Sequence, residues 1–165
     1  MTKTFTFITA FIISLSLQAQ NRFILDFGST HEKALEKIEQ RGLTLTSNEP
    51  TVIEAHNNYL NIDYYFNEGG LYKIEIVKKY TKLKDATLGY DTYEQSFEFK
   101  GWRVDEEIDD KKQKSLSATN DLNLTNLKLD HVEGAYQLSL SVSSLRFAPD
   151  NQKIELSTAY NEVNQ

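Results

Sequence analysis

Apolar and polar residues alternate along positions 59–77, and a pair of glycines interrupts the alternation once. Such a pattern, with a turn signal at its centre, predicts two half-buried antiparallel strands joined as a β-hairpin. The even-numbered positions should face the core of the protein, and the odd-numbered ones should face away from it. The apolar even-numbered positions are Leu60, Ile62, Tyr64, Phe66, Tyr72, Ile74 and Ile76.

The register of this hairpin follows from the same pattern. Residues directly opposed in an antiparallel pair lie on the same face, so the two even-numbered sets pair only across a loop with an odd number of residues. The segment 67–69 suits a three-residue loop with glycine in the left-handed position. Tyr64 would then face Tyr72, and Asp63 would face Lys73 on the outer side.

The segments before the hairpin show helix and strand patterns. Ser29 and Glu32 have the spacing of a capping box, and Gly42 is a typical helix stop, so Thr30–Arg41 is predicted to be an amphipathic helix. A turn is expected at Glu133-Gly134, and another is expected at 149–151. The remaining strands are predicted at 22–27, 43–45, 51–56, 127–132, 136–145 and 153–160.

The pattern restarts after Tyr80. At an offset of 59 residues, Ile38 matches Phe97 and Gly42 matches Gly101; at an offset of 76, the first hairpin strand matches the strand at 136–142. The difference between the two offsets equals the length of the polar segment 105–121, which is predicted to be a solvated insert in the second repeat. The matches at offset 76 are Leu60 with Tyr136, Ile62 with Leu138, Tyr64 with Leu140, and Phe66 with Val142.

The predicted fold class is therefore α+β, with two helix-plus-antiparallel-strand repeats, 21–80 and 81–160, forming one antiparallel sheet with helices on one face. The second helix is expected at Thr92–Lys100, although the alternation around Glu98 leaves a strand open there. Trp102 should pack in the second repeat where Leu43 packs in the first. Burial of the indole would make Trp102→Ala cost roughly 3–5 kcal/mol.

The first nineteen residues have the features of a secretory signal peptide. Lys3 precedes an apolar run from Phe5 to Leu17, and Ala19 suits cleavage, which leaves an α+β domain at 20–165; an uncleaved anchor is the alternative. The chain has no cysteine, which favours a bacterial envelope, with the protein either periplasmic or secreted. The formal net charge of −6 argues against nucleic acid as a partner. No further membrane span is expected.

Known catalytic and metal-binding motifs do not occur in the chain. His31, His56 and His131 stand in unrelated contexts, and a metal site needs three or four converging ligands, so neither metal nor cofactor is expected. Acidic pairs such as Asp63 and Glu75 could serve a glycosidase, and whether the protein is an enzyme stays open. The acidic segment beginning at residue 105 has no spaced calcium loop.

The outward face of the hairpin is the candidate binding surface. It carries tyrosines, which bring a large contact area together with a polar group. We expect this face to bind a protein or an envelope polymer. The candidate residues are Tyr59, Asn61, Asp63, Tyr65, Lys73 and Glu75.

Two stretches carry a resemblance to a known group of proteins. The helix opening 27–32 and the hairpin segment 65–71 resemble those of β-lactamase-inhibitor-like proteins and of envelope domains of the SmpA/OmlA type. The resemblance implies a tandem repeat that binds proteins through an exposed sheet face and is not an enzyme. The chain departs from the disulfide-bonded members because it lacks cysteine, and no inhibitory loop residue can be carried over.

Three functions remain open on the sequence alone. The first is an exported, non-catalytic binding domain, and the second is a small envelope hydrolase with a carboxylate or histidine site. The third is an envelope structural subunit, which would have to self-associate.

Overall fold

The computed structural model describes residues 25–109, 113–120 and 122–163, which form three helices and eight strands. The fold is α+β, as predicted, whereas the predicted signal peptide at 1–19 lies outside the described residues. The elements are α1 (His31–Gln40), β1 (Thr44–Glu49), β2 (Val52–His56), β3 (Leu60–Asn67), β4 (Gly70–Tyr80), α2 (Leu83–Phe99), β5 (Arg103–Asp109), β6 (Lys114–Asn120), β7 (Asn123–Val132), β8 (Ala135–Ser144) and α3 (Asp150–Val163).

The eight strands form one antiparallel sheet in the order β1-β2-β3-β4-β8-β7-β6-β5. Two meanders therefore meet at the centre, where β4 pairs with β8, and β1 and β5 are the edge strands. Each edge strand is interrupted by a β-bulge, between Leu45 and Ser47 in β1 and between Glu106 and Ile108 in β5.

One face of the sheet packs against α1 and α2. Ala34 and Ile38 of α1 belong to the same buried cluster as Tyr90 and Phe97 of α2, so these two helices share one core. The sheet contributes the predicted face of the hairpin and of β8, with Tyr136 only partly buried. The core residues from these strands are Leu60, Ile62, Tyr64, Phe66, Ile74, Ile76, Leu138, Leu140 and Val142.

The register of the β3–β4 hairpin differs from the prediction by two residues. Tyr64 pairs with Ile74, and Phe66 pairs with Leu71, because a bulge after Tyr65 leaves Tyr72 as an extra residue on β4. The last pair of the hairpin is Asn67 with Gly70. Because the bulge adds one residue to β4, the loop between these two residues has two residues rather than the predicted three. The faces of β3, Ile74 and Ile76 were assigned correctly, but the opposed pairs were not. The faces of two residues at the bulge were also wrong: Leu71 belongs to the core cluster, whereas Tyr72 does not, and its ring lies 6.5 Å from that of Tyr65 on the outer face.

The two core helices end in the same way. Beyond α1, the amide of Leu43 donates to the carbonyl of Ile38 (3.2 Å); beyond α2, the amide of Trp102 donates to the carbonyl of Phe97 (3.0 Å). The intervening residues are Gly42 and Gly101, whose φ angles are 63° and 72°. Residues other than glycine rarely adopt such positive φ angles. These are Schellman-type stops, in which the residue past the glycine folds back onto the helix. Both folded-back residues contact the core: Leu43 is buried, and Trp102 is partly buried.

Four local predictions are wrong. The part of 22–27 that is described is irregular, and the N-cap of α1 is Thr30 rather than Ser29, since the Thr30 hydroxyl accepts from the Lys33 amide. Most of segment 105–121 lies in β5 and β6 rather than in a solvated insert. Segment 153–160 is helical because α3 begins directly after Pro149, and an ion pair of 2.9 Å links Asp150 to Lys153 one turn later.

Helix α3 packs against β5, β6 and β7. On β6 the core residues Leu116 and Ala118 alternate with buried Ser115, Ser117 and Thr119, which point to the opposite face. We conclude that α3 covers that face, so the prediction of helices on one face is not confirmed. In the described part of the chain, no helix is both long and apolar enough to cross a membrane.

Candidate functional site

The outer face of the sheet is the face turned away from α1 and α2. On its central strands, Asp63 of β3 pairs with Glu54 of β2 on one side and with Glu75 of β4 on the other. Three carboxyl groups therefore lie side by side on adjacent strands. We call Glu54, Asp63 and Glu75 the acidic row. Like charges that are directly opposed across strands destabilise a sheet, so this arrangement is costly for the fold.

The electrostatics of Asp63 reflect this crowding. Partial burial raises the pKa of Asp63 above its ordinary value, and the neighbouring carboxylates of Glu54 and Glu75 raise it further. The central carboxyl group of the acidic row thus holds its negative charge less readily than an isolated aspartate. A cation bound against it would relieve the repulsion.

Glu75 is held by two polar neighbours. The Tyr65 hydroxyl donates to Oε2 at 2.8 Å, and the Lys73 ammonium lies 2.7 Å from Oε1 and 5.1 Å from the centre of the Tyr65 ring. Partial burial acts to raise the pKa of Glu75, but the hydrogen bonds from Lys73 and Tyr65 outweigh it and lower the pKa overall. The lysine therefore pairs with Glu75 along its own strand, whereas the predicted pairing of Asp63 opposite Lys73 is wrong.

The structure brings four of the six candidate residues together and leaves two apart. Tyr59 lies just before β3 and is 75% exposed, and its amide is bonded to the Asn57 side chain rather than to the sheet. Asn61 is exposed on the outer face, where it pairs with His56 and Val77, one row away from the carboxyl groups.

A shallow trough runs beside the acidic row over β8. Its floor carries the small side chains of Ser139 and Ser141, and its walls carry Glu75 on β4 and Lys128 on β7. The trough encloses about 270 Å³. A salt bridge of 2.8 Å joins Lys128 to Asp130 on the same strand.

The three histidines lie in separate places. The Glu49 carbonyl accepts from Nε2 of His31 at 2.9 Å, and Nδ1 of His56 lies 3.1 Å from the Thr46 hydroxyl. The ring of His131 is exposed and packs 4.8 Å from the ring of Tyr136. Among the described residues, no group of three or more histidine, aspartate or glutamate side chains is arranged to hold a metal ion.

Glu54 is the site residue that sequence analysis missed. The strand at 51–56 was predicted, but it was not paired with β3. The structure pairs His56 with Asn61 across the four residues 57–60, and this register places Glu54 beside Asp63; a three-residue turn at 57–59 would have placed Glu54 opposite Ile62 instead.

Comparison of the chain with protein-family models, with curated proteins and with solved structures yields no match. Function must therefore be inferred from the outer face and from the charges that it carries.

Proposed function

We propose that the protein is an exported, non-catalytic binding domain whose outer sheet face recognises a cationic segment of another protein. The observation that carries this proposal is the acidic row: three directly paired carboxyl groups, with the pKa of Asp63 raised. A folded domain that keeps like charges in contact loses stability. A lysine or arginine side chain from a partner recovers that loss on binding, and charge complementarity also sets specificity and association rate.

The shape of the face supports an extended partner. The serine-floored trough beside the row lies over β8, at the centre of the sheet, whereas α3 packs mainly against β5, β6 and β7. An extended chain laid along the trough would pass its cationic groups within reach of Glu75 and Asp63. Tyr65 on β3 lies beside Glu75, to which its hydroxyl donates, and its ring adds apolar contact area.

The tandem repeat is part of the proposal. The Schellman-type stops at Gly42 and Gly101 are 59 residues apart and have matching hydrogen bonds, and each helix precedes a four-stranded meander. This correspondence supports two repeats and the suggested similarity to β-lactamase-inhibitor-like and SmpA/OmlA-type proteins. Export to the periplasm or beyond rests on the signal-peptide pattern of residues 1–19.

The proposal can be tested by affinity capture from an envelope extract, followed by calorimetry with the captured protein. The test variant is the double substitution Glu54→Gln/Asp63→Asn. The matched control is Glu39→Gln/Glu98→Gln, which removes the same charge from exposed sites on α1 and α2. We expect the test variant to lose the partner and the control to retain it, with wild-type binding weakened by salt.

Two results would contradict the proposal. Equal recovery by the test variant and the control would show that the acidic row makes no specific contribution to binding. Recovery of no protein by the wild type above the level of an uncoupled matrix would remove the binding function altogether.

A hydrolase remains the second candidate, favoured by one observation. The pKa of Asp63 is raised and that of Glu75 is lowered, and carboxyl pairs whose pKa values are pushed apart can act as acid and base. Glu75, however, is already bonded to Tyr65 and Lys73 on an open sheet face. Turnover of a glycan or chromogenic glycoside by wild type, abolished in Asp63→Asn, would establish hydrolysis; no turnover by wild type would exclude it for that substrate.

A further inference from the structure

On the opposite side of the sheet, a half-enclosed cavity of about 270 Å³ lies between the second half of α2, the segment 25–27, and strands β7 and β8. Four aromatic side chains line it, namely Phe27, Tyr93, Phe97 and Trp102, and the rings of the last two are 5.3 Å apart. Leu140 and Val142 of β8 line it from the sheet side. The cavity is therefore mainly apolar and is separate from the acidic row.

One polar group at this cavity has no partner. Thr125 of β7 lines the cavity, is fully buried opposite Val142, and has a hydroxyl group without a hydrogen-bond partner. A buried hydroxyl that makes no hydrogen bond is costly, and most such groups in proteins are satisfied. Valine has nearly the same shape and would avoid that cost. The hydroxyl is accounted for if a bound molecule supplies the missing partner.

The size and charge of the cavity limit the ligand. Its volume is roughly twice that of an apolar cavity of about 150 Å³ that holds one benzene molecule. Lys100 and Asp26 both line it and are exposed, so their opposite charges offset each other for an entering molecule. A neutral compound about as large as two fused rings fits these limits.

We propose that this cavity binds a small, neutral, mainly apolar molecule whose single polar group hydrogen-bonds to the hydroxyl of Thr125. The apolar body of the ligand lies against Phe97 and Trp102, and the exposed side of the cavity provides entry.

The chain contains one tryptophan, and that residue lines the cavity, so its fluorescence reports on occupancy. The probes are 2-tetralol and tetralin, which differ by one hydroxyl group. Titration with selective tryptophan excitation, checked by calorimetry, should show saturable binding of both, with 2-tetralol bound more tightly by wild type.

Three variants distinguish the contribution of the Thr125 hydroxyl from that of the space inside the cavity. Thr125→Val should weaken 2-tetralol binding by about three- to tenfold and leave tetralin binding unchanged, as expected for one hydrogen bond. Ser96→Leu places a larger side chain in the cavity and should abolish binding of both probes. Ser29→Ala is the matched control, because Ser29 is also buried with an unpaired hydroxyl but does not line the cavity.

Far-ultraviolet circular dichroism should confirm that each variant is folded. If neither probe binds saturably to wild type, the proposal is overturned, and water would be the occupant of the cavity. Equal loss of 2-tetralol and tetralin in Thr125→Val, or no loss of either, would also overturn it, because the hydroxyl would then not be the contact. Unchanged binding in Ser96→Leu would show that the probes bind elsewhere.

Discussion

Replacing Asp63 by asparagine should make the protein more stable, although it removes a charge from the proposed binding surface. Asp63 is directly opposed to Glu54 and to Glu75, so the substitution relieves two repulsive cross-strand pairs. Each such pair is worth roughly 0.2–1 kcal/mol, and partial exposure of the group favours the lower half of the range. We expect a gain of about 1 kcal/mol in the free energy of unfolding at neutral pH.

The gain should depend on pH with a definite sign. The pKa of Asp63 is raised above 3.8 in the folded protein, so its contribution to stability is present below that pH and is lost as the pH rises through the folded pKa. The variant lacks this titration. Its advantage over wild type should therefore be small near pH 3 and largest at neutral pH, and roughly 1 M salt should reduce it by screening.

Urea unfolding followed by circular dichroism measures this difference, at both pH values and at low and high salt. Glu39→Gln is the control, since Glu39 is exposed on α1. A variant less stable than wild type at neutral pH would refute the reasoning. So would a gain that is the same at pH 3, because repulsion between ionised carboxylates would then not be its source.

Three further outcomes follow from the packing. Trp102→Ala should cost about 2–3 kcal/mol in urea unfolding, less than for a fully buried indole, because Trp102 is partly buried; a cost under about 0.5 kcal/mol would contradict the packing. Gly70→Ala should destabilise more than Gly42→Ala, since a Cβ at Gly70 would meet a backbone oxygen at 2.6 Å whereas none lies within 4 Å of Gly42; equal melting temperatures would contradict this. Tyr65→Phe removes the hydrogen bond to Glu75 and should lower the free energy of unfolding by about 1 kcal/mol. It should also raise the pKa of the Glu75 carboxyl group, which NMR titration measures; an unchanged pKa would exclude the hydrogen bond.

Alternation in the sequence predicts which face a residue occupies but not which residue lies opposite it. The faces of β3, Ile74 and Ile76 follow from the alternation, because burial requires it, whereas those of Leu71 and Tyr72 at the bulge do not. The register does not, because the bulge after Tyr65 adds a residue where Leu71 and Tyr72 are both apolar and both buried. The row of carboxyl groups depends on that register, so it could not be predicted from the hairpin alone.

The second half of the chain was harder to predict because helix α3 covers a polar face. Ser115, Ser117 and Thr119 are buried there, and short polar side chains under a helix look like a solvated loop in the sequence. Ile154 and Leu156 suggest a strand by their alternation, yet Ile154 is 76% exposed on α3. The cavity at Thr125 could not be predicted either, because four separate segments of the chain line it.

The bulges in the two edge strands have a consequence for association between molecules. An unprotected edge strand offers free backbone groups to another chain, which is a common route to aggregation, and natural sheets block it with bulges and charges. Here β1 and β5 each carry a bulge, and five of the seven residues of β5 are charged. Edge-to-edge growth into fibres is thus disfavoured at both ends of the sheet, and an assembly of copies would have to form through its faces.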